Sequence, residues 1–512
     1  MEGLGGDDRH GLTYDEAVAY YEAQRVRRLP VDVDAYPTAD GVRYALIWLD
    51  NSEGVDWRLH LSLSGVGFSA AFDSYAATLR TLVVDSVTAG SEQRYAGIWL
   101  GNPGGRQFRM RRDLTALEYS NWWRRYVDEG FREIGFERYE TAQGTRYATV
   151  WRQSSGRPQW ALRGLVDQRV KEELDNFLVP GISVAVVQDG EVKYLRGFGD
   201  ADVEAGVWLD SGHVLRTASV SKAVAGVLTM RLYEMGEITS VYDPTGTYLP
   251  GLLPAQHAHT IEQLVSNRGC VRHYESKLAD PDPDLVEKDQ TLQTIHFGSA
   301  LEPAEIIWDD HMVNGCAIGT DNNYSTHGYT ILGAALESAA GTLLPDLVRQ
   351  VLTDACGLGT LRPEDLTDSG VRRSKIYNKD NTVATPDENT WSILGAGMES
   401  SVADLAGFGA KLLAGQIISP LAAEYMWSGT GWGYSYGWQV DSQTDEDGDT
   451  YRRVWKSGGQ LGADSYLQLY PDDGIVVAVL SNRRGATDGD PDSHDASAVG
   501  RDVGGFILDS LP

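Results

Sequence analysis

Leu215-Arg216-Thr217-Ala218-Ser219-Val220-Ser221-Lys222 runs straight into an apolar-periodic stretch, Ala223 to Met235, near the middle of a 512-residue chain. The period predicts a buried helix over 223–235, which makes Ser219 its opening residue and puts Lys222 one turn further along the same face. The lysine amine then reaches the serine hydroxyl, and the helix start offers backbone amides and dipole to a developing oxyanion. A serine hydroxyl is a weak nucleophile until a neighbouring base takes its proton. The same spacing also describes an N-cap serine followed by a solvent-facing lysine, so its chemistry depends on what the rest of the chain brings to it.

Two later segments supply companions. Asn323-Tyr324-Ser325-Thr326-His327-Gly328-Tyr329 places Tyr324 on a loop before a helix expected over Thr330 to Ala340. Val454-Trp455-Lys456-Ser457-Gly458-Gly459 reads as a strand, followed by strands over Ser465 to Tyr470 and Ile475 to Ser481. Upstream, a helix over Val166 to Phe177 leads into two strands joined at Asp189-Gly190, a strong hairpin signal. In this order the segments resemble the S-x-x-K, Y-x-N and K-T-G signature of the penicillin-recognising serine hydrolases: class C β-lactamases, DD-peptidases and their esterase relatives. The resemblance extends to the Pro180 to Lys193 hairpin, a Gly197-Phe-Gly-Asp200 turn, the Gly395 to Leu405 lead-in to a late helix, and Tyr436-Gly437-Trp438 as the strand before the third motif.

Carried over residue by residue, the resemblance implies that Ser219 is acylated and Lys222 activates it. Tyr324 becomes the second proton-transfer group, Lys456 sets the electrostatics around it, and the amides of Ser219 and Gly459 form the oxyanion hole. Thr326, Ser457 and Gly458 fall at substrate-binding positions. A tyrosine works as a base only where cations stabilise its phenolate, and the two lysines are expected to do so. Thr326 departs from the family's asparagine, which weakens a β-lactamase reading; Ser457 for threonine is mild. His273 and His327 lie near the motifs and are read as cleft-wall residues, since the Lys/Tyr pair already supplies proton transfer. Cys270 and Cys316 fall in loops that edge the same cleft, so a Cys270–Cys316 disulfide is expected, and with it a secreted rather than cytoplasmic home; three reduced thiols, with Cys356, is the other reading.

Ahead of this region one element recurs: Arg43-Tyr-Ala with Trp48, Arg94-Tyr-Ala with Trp99, and Arg146-Tyr-Ala with Trp151. Helix-like stretches precede them at Tyr14 to Tyr21, Phe72 to Leu79 and Tyr119 to Tyr126, and a turn and strand follow. Each unit reads as one helix plus about three short strands, with the aromatics as packing residues or as a stacking surface for a polymer ligand. Residues 1–165 carry 20 Arg, no Lys and 22 acids, while the remaining 24 basic and 51 acidic residues lie in 166–512. That asymmetry predicts two domains, a binding or positioning module at 1–165 and the hydrolase at 166–512.

A net charge of -29 argues against nucleic acid and anionic membranes as partners. No apolar run is long enough to span a bilayer, and the start lacks a signal-peptide pattern. Acidic stretches at Asp441 to Asp449 and Gly485 to Asp495 read as solvated surface loops without EF-hand spacing; no zinc motif or phosphate loop stands out, so no cofactor is implied. The expected fold is α+β: tandem α/β repeats, then an antiparallel sheet flanked by helices with a helical subdomain.

Repeats in front of such a hydrolase resemble the polyglycine hydrolases, secreted fungal endopeptidases that cut Gly-Gly bonds in the glycine-rich linkers of plant chitinases, and their bacterial relatives. The resemblance implies a protein substrate seated by the repeats and cut by the hydrolase. An esterase or small-amide hydrolase using the same residues, and a non-catalytic binding scaffold, are the alternatives.

Overall fold

The computed structural model describes residues 6–154, 160–251, 254–277, 280–428, 433–484 and 494–511. Contacts divide the chain into two compact units, Met1–Pro158 and Gln159–Pro512. The first repeats one motif three times: β1 (Gly6–Leu12), α1 (Tyr14–Gln24), β2 (Arg28–Thr38), β3 (Gly41–Asp50); β4 (Trp57–Leu63), α2 (Gly65–Tyr75), β5 (Leu79–Ala89), β6 (Glu92–Gly101); β7 (Phe108–Leu114), α3 (Ala116–Asp128), β8 (Phe131–Thr141), β9 (Gly144–Gln153). Each sheet is antiparallel with its last strand in the middle, in the orders β1-β3-β2, β4-β6-β5 and β7-β9-β8. Thr13 and Thr115 open α1 and α3 with capping boxes to Glu16 and Glu118, and Ser64 caps α2.

The repeated Arg-Tyr-Ala-x-x-Trp element forms the central strands. Trp48, Trp99 and Trp151 are buried against their helices, Trp48 edge-on to Tyr20 and Trp99 against Phe68. Those tryptophans are packing residues, and a stacking surface built on them is ruled out. The helix expected over 72–79 lies instead at Gly65–Tyr75, where Ser64 accepts from Gly67 N; its small residues hide the helical period, and Leu79 already belongs to β5. The strand after each turn opens the next unit: β4 pairs with β6, not with β3.

The second unit centres on an eight-stranded antiparallel sheet. It contains α4 (Arg163–Phe177), β10 (Gly181–Gln188), β11 (Glu191–Asp202), β12 (Val207–Trp208), β13 (Val214–Arg216), α5 (Ser221–Met235), α6 (Ile261–Val265), α7 (Pro283–Leu292), α8 (Leu301–Ile307), α9 (Thr326–Ala340), α10 (Leu344–Val348), β14 (Arg362–Pro363), β15 (Met398–Ser401), α11 (Val402–Leu413), α12 (Pro420–Trp427), β16 (Tyr434–Ser435), β17 (Trp438–Thr444), β18 (Thr450–Gln460), β19 (Ala463–Tyr470), β20 (Ile475–Ser481) and α13 (Ala496–Leu508). The large sheet has the order β12-β11-β10-β20-β19-β18-β17-β16. Strand alternation sends Ile182, Val184, Val186, Val477 and Val479 to one face, where α4 and α13 cover them. Ala185, Val187, Ala478 and Leu480 face the larger core with α5, α9 and α11. No single helix among the described residues is long and apolar enough to cross a membrane.

Three local expectations change. Gly197 to Asp200 lies within β11 rather than in a turn, with Gly199 at φ 69° because a Cβ there would stand 2.1 Å from Pro180 O. Tyr436 and Gly437 form the turn between β16 and β17, not a strand. They press on α5: a Cβ on Gly437 would stand 1.9 Å from Lys222 O, and one on Gly226 would stand 1.9 Å from Tyr436 O. Of the acidic stretch 441–449, Asp441 to Thr444 belong to β17, where Asp441 pairs with Arg453 at 2.8 Å; residues 485–493 of the other stretch lie outside the described residues.

Candidate active site

Ser219 does not begin α5. It sits in a 3-10 turn, Ala218–Val220, immediately before it. Ala218 takes φ 46°, a left-handed conformation that alanine adopts at a cost. Neighbours hold it: the Ser221 hydroxyl donates to Ala218 O at 2.6 Å and lies 3.1 Å from Thr217 Oγ1, which donates to Met398 O at 3.0 Å. The second serine of the motif is therefore buried and committed to holding the turn, while Ser219 is half-exposed.

Lys222 is completely buried one turn on, and its amine reaches three oxygens: Gly395 O at 2.6 Å, Thr326 Oγ1 at 3.1 Å and Ser219 Oγ at 3.3 Å. Burial pushes its pKa well below the usual lysine range, and the charge of Lys456 adds to the push. A neutral amine has two N–H groups and one lone pair. With Gly395 and Thr326 taking the N–H groups, the lone pair is left for the serine proton. Gly395 was missed in the sequence because a carbonyl acceptor carries no residue-type signal.

Tyr324 donates to Ser219 Oγ from the other side at 2.8 Å. The two lysine nitrogens stand over its ring, Lys222 at 4.7 Å and Lys456 at 5.1 Å from the centroid. Burial raises its pKa above that of an ordinary phenol, although the residue is 37% exposed and solvent screens part of the effect. This corrects the expectation of a phenolate stabilised by two lysines: Tyr324 stands as a neutral donor. Lys456, buried on β18, has its pKa lowered to about 8 by desolvation.

The loop carrying Tyr324 is tied to residues 267–273. Asn323 N donates to Asn267 O at 2.7 Å, Ser325 N to Asn267 Oδ1 at 3.1 Å, and Ser325 Oγ to Arg272 O at 2.7 Å. A disulfide joins Cys270 to Cys316 in the same region, and Cys356 is a free thiol. His273 is kept neutral by burial, its pKa down to about 3, and its Nδ1 accepts from Thr326 N at 3.2 Å. His327 is also neutral, with Nε2 3.4 Å from Asp289. The hydrogen-bond partners of Ser219 Oγ among the described residues are Lys222 and Tyr324, not these histidines.

The third segment closes the site. Gly458 passes against the nucleophile's backbone, and a Cβ there would stand 2.5 Å from Ser219 N. Gly459 is exposed with nothing within 4 Å of its Cβ position. Ser457 is half-buried opposite Tyr466. Pairing with β17 stops at Trp455, so among the described residues β18 from Lys456 to Gln460 has a strand partner only on the β19 side.

Residues 166–500 match the beta-lactamase family, and residues 9–51, 54–102 and 105–154 match the polyglycine hydrolase-like structural repeat. Human serine beta-lactamase-like protein LACTB, mitochondrial, is 24% identical over 414 residues, covering 61% of this chain and 75% of that protein. Penicillin-binding protein 4 of Amycolatopsis lactamdurans is 28% identical over 342 residues, covering 60% and 82%. Among solved structures, the octameric penicillin-binding protein homologue from Pyrococcus abyssi superposes with a TM-score of 0.55 at 21% identity, over 67% of this chain and 77% of that one. FmtA from Staphylococcus aureus gives 0.54 at 17%, over 70% and 92%.

Proposed function

Because this chain belongs to the beta-lactamase family of serine hydrolases and carries polyglycine hydrolase-like repeats ahead of that domain, we propose that it is an endopeptidase or amidase acting through an acyl-enzyme on Ser219, with glycine-rich protein segments as substrate. Ser219 Oγ attacks the amide carbon as its proton passes to Lys222, and the tetrahedral oxyanion is received by the amides of Ser219 and Gly459. Tyr324 gives its proton to the departing amine and recovers one from Lys222. Water then attacks the ester with Lys222 as base, releasing the acid and restoring Ser219. Lys456 supplies positive charge beside the developing anion.

The hydrolase reading rests on Lys222, a buried amine 3.3 Å from Ser219 Oγ whose other acceptors leave it one lone pair. The preference for an extended, side-chain-poor segment is supported by the one-sided stretch of β18 from Lys456 to Gln460, which offers main-chain hydrogen bonds where Gly458 and Gly459 present no side chains. The disulfide favours an oxidising compartment outside the cytosol.

Mass spectrometry of a protein bearing a long glycine run, incubated with wild type and with Ser219→Ala, tests this. Cuts between glycines that vanish in the variant are the expected result. An intact substrate alongside Ser219-dependent ester hydrolysis would replace the proposal with an esterase.

A further inference from the structure

The two lysines of the site are held by different means. Lys222 has three oxygens within reach, from Gly395, Thr326 and Ser219, besides the rings of Tyr324 and Tyr329 at 4.7 and 5.3 Å from its nitrogen. Lys456 is 5% exposed, and among the described residues its amine has neither a hydrogen-bond partner nor a carboxylate. What faces it is aromatic: the Tyr324 ring at 5.1 Å and the Tyr434 ring at 5.6 Å. Beyond the shared Tyr324 ring stands the other titratable amine, that of Lys222.

Tyr434 is itself fixed. It lies on β16, paired with Gln439, is 4% exposed and meets Tyr324 edge-on at 6.5 Å. Its hydroxyl is 3.3 Å from that of Tyr329, whose own proton goes to Val265 O at 2.5 Å. In the tyrosine pair Tyr434 is therefore the donor. The series from Val265 through Tyr329 anchors the hydroxyl end of the ring, and the ring's face is turned to Lys456.

We infer that Tyr434 is a positioning residue for the Ser219 reaction, its ring holding the Lys456 ammonium against the site. An ammonium stripped of water and given no oxygen in return is driven to release its proton. The negative face of an aromatic ring offsets part of that drive and fixes where the charge sits. Tyr324 divides its ring between both lysines, whereas Tyr434 stands over Lys456 alone. The inference rests on the reading that Lys456 supplies charge to acyl transfer at Ser219.

The test compares Tyr434→Phe, which keeps the ring, with Tyr434→Met and Tyr434→Leu, which replace it by apolar chains, each in the full-length protein and again with Lys456→Met added. The substrate is whichever of a glycine-run protein and p-nitrophenyl acetate is cut in a Ser219-dependent way, followed from pH 7 to 9. Tyr434→Phe is expected to keep most of kcat. The ringless variants are expected to lose about tenfold in kcat with KM little changed, and their basic limb to move down by about half to one pH unit, the size of a desolvated ring contact. On top of Lys456→Met they should cost almost nothing further, because the ring acts through that amine. Equal losses in both backgrounds, or a basic limb that stays or rises, would overturn the inference, as would a Tyr434→Phe impaired as much as Tyr434→Met. If neither substrate is cut through Ser219, the proposed function falls and urea midpoints still judge the ring. Read against Lys456→Met, the gain in stability with rising pH should set in at lower pH in Tyr434→Met than in Tyr434→Phe; an unchanged onset overturns the inference.

Discussion

Gly458 and Ser219 are in backbone contact: the Cβ that Gly458 lacks would lie 2.5 Å from Ser219 N and 2.8 Å from Thr217 O. Those atoms belong to the turn that presents the nucleophile, so β18 and the turn must separate if Gly458 gains a methyl group. Gly458→Ala is expected to lower kcat about 100-fold or more and to cost about 1–3 kcal/mol in stability. Gly459→Ala, with open space around it, serves as the matched control and should leave the denaturation midpoint in place. Equal drops of the denaturation midpoint in the two variants would show that the close approach is not what matters.

Thr326 tests how Lys222 is held. Its hydroxyl is one of two fixed acceptors on the amine, and removing it leaves an N–H free to compete for Ser219. Thr326→Ala is expected to reduce kcat/KM by about 10–100-fold, the size of one buried hydrogen bond, while Thr326→Ser retains most activity. A Thr326→Ser loss as large as that of Thr326→Ala would mean that the methyl group, not the hydroxyl, is needed.

Lys456 gives opposite pH trends for activity and stability. Its pKa in the folded chain is about 8, against about 10.4 when unfolded. Between these values the unfolded chain holds more protons, so stability from this residue rises with pH. The charge that assists the reaction disappears over the same range. Activity should therefore fall as pH rises through about 8, while the stability of wild type relative to Lys456→Met improves. Rate profiles and urea midpoints from pH 7 to 10 read both, and a Lys456→Met enzyme with an unaltered basic limb would refute the assignment.

The Cys270–Cys316 bond closes a loop of 46 residues, worth about 4 kcal/mol in the loop-entropy account. Its Cys270 end lies two residues from Arg272, whose carbonyl accepts from Ser325 beside Tyr324. Cys270→Ser with Cys316→Ser is expected to lower the melting temperature and reduce kcat together. A variant with unchanged melting would show that the 267–273 hydrogen bonds hold the loop alone.

How much of this was readable in the sequence depends on whether a feature is written in side chains. Ser219, Lys222, Tyr324 and Lys456 are distinctive residue types in ordered segments, and the structure brings all four together. The Gly395 carbonyl, the left-handed Ala218 and the commitment of Ser221 are backbone matters that residue type does not announce. Tyr324 went the other way from expectation because the lysines sit over its ring, where burial outweighs them. Helix α2 was misplaced since Gly65, Gly67, Ser69 and Ala70 give no apolar period, and only the Ser64 cap marks its start.

Each repeat carries a register shift at the same place, between Pro30 and Asp32, Thr81 and Val83, and Glu133 and Gly135. A strand alternates sides with every residue, so one irregularity determines which side all later residues occupy. It is this shift that turns Val33 and Val84 toward the unit that follows each, with Phe136 on the corresponding side of the third, while Asp34, Asp85 and Glu137 take the opposite side. Insertion of a single residue within any of these strands would reverse that assignment for everything downstream. Length changes in the array are therefore confined to its turns or to whole units of about fifty residues.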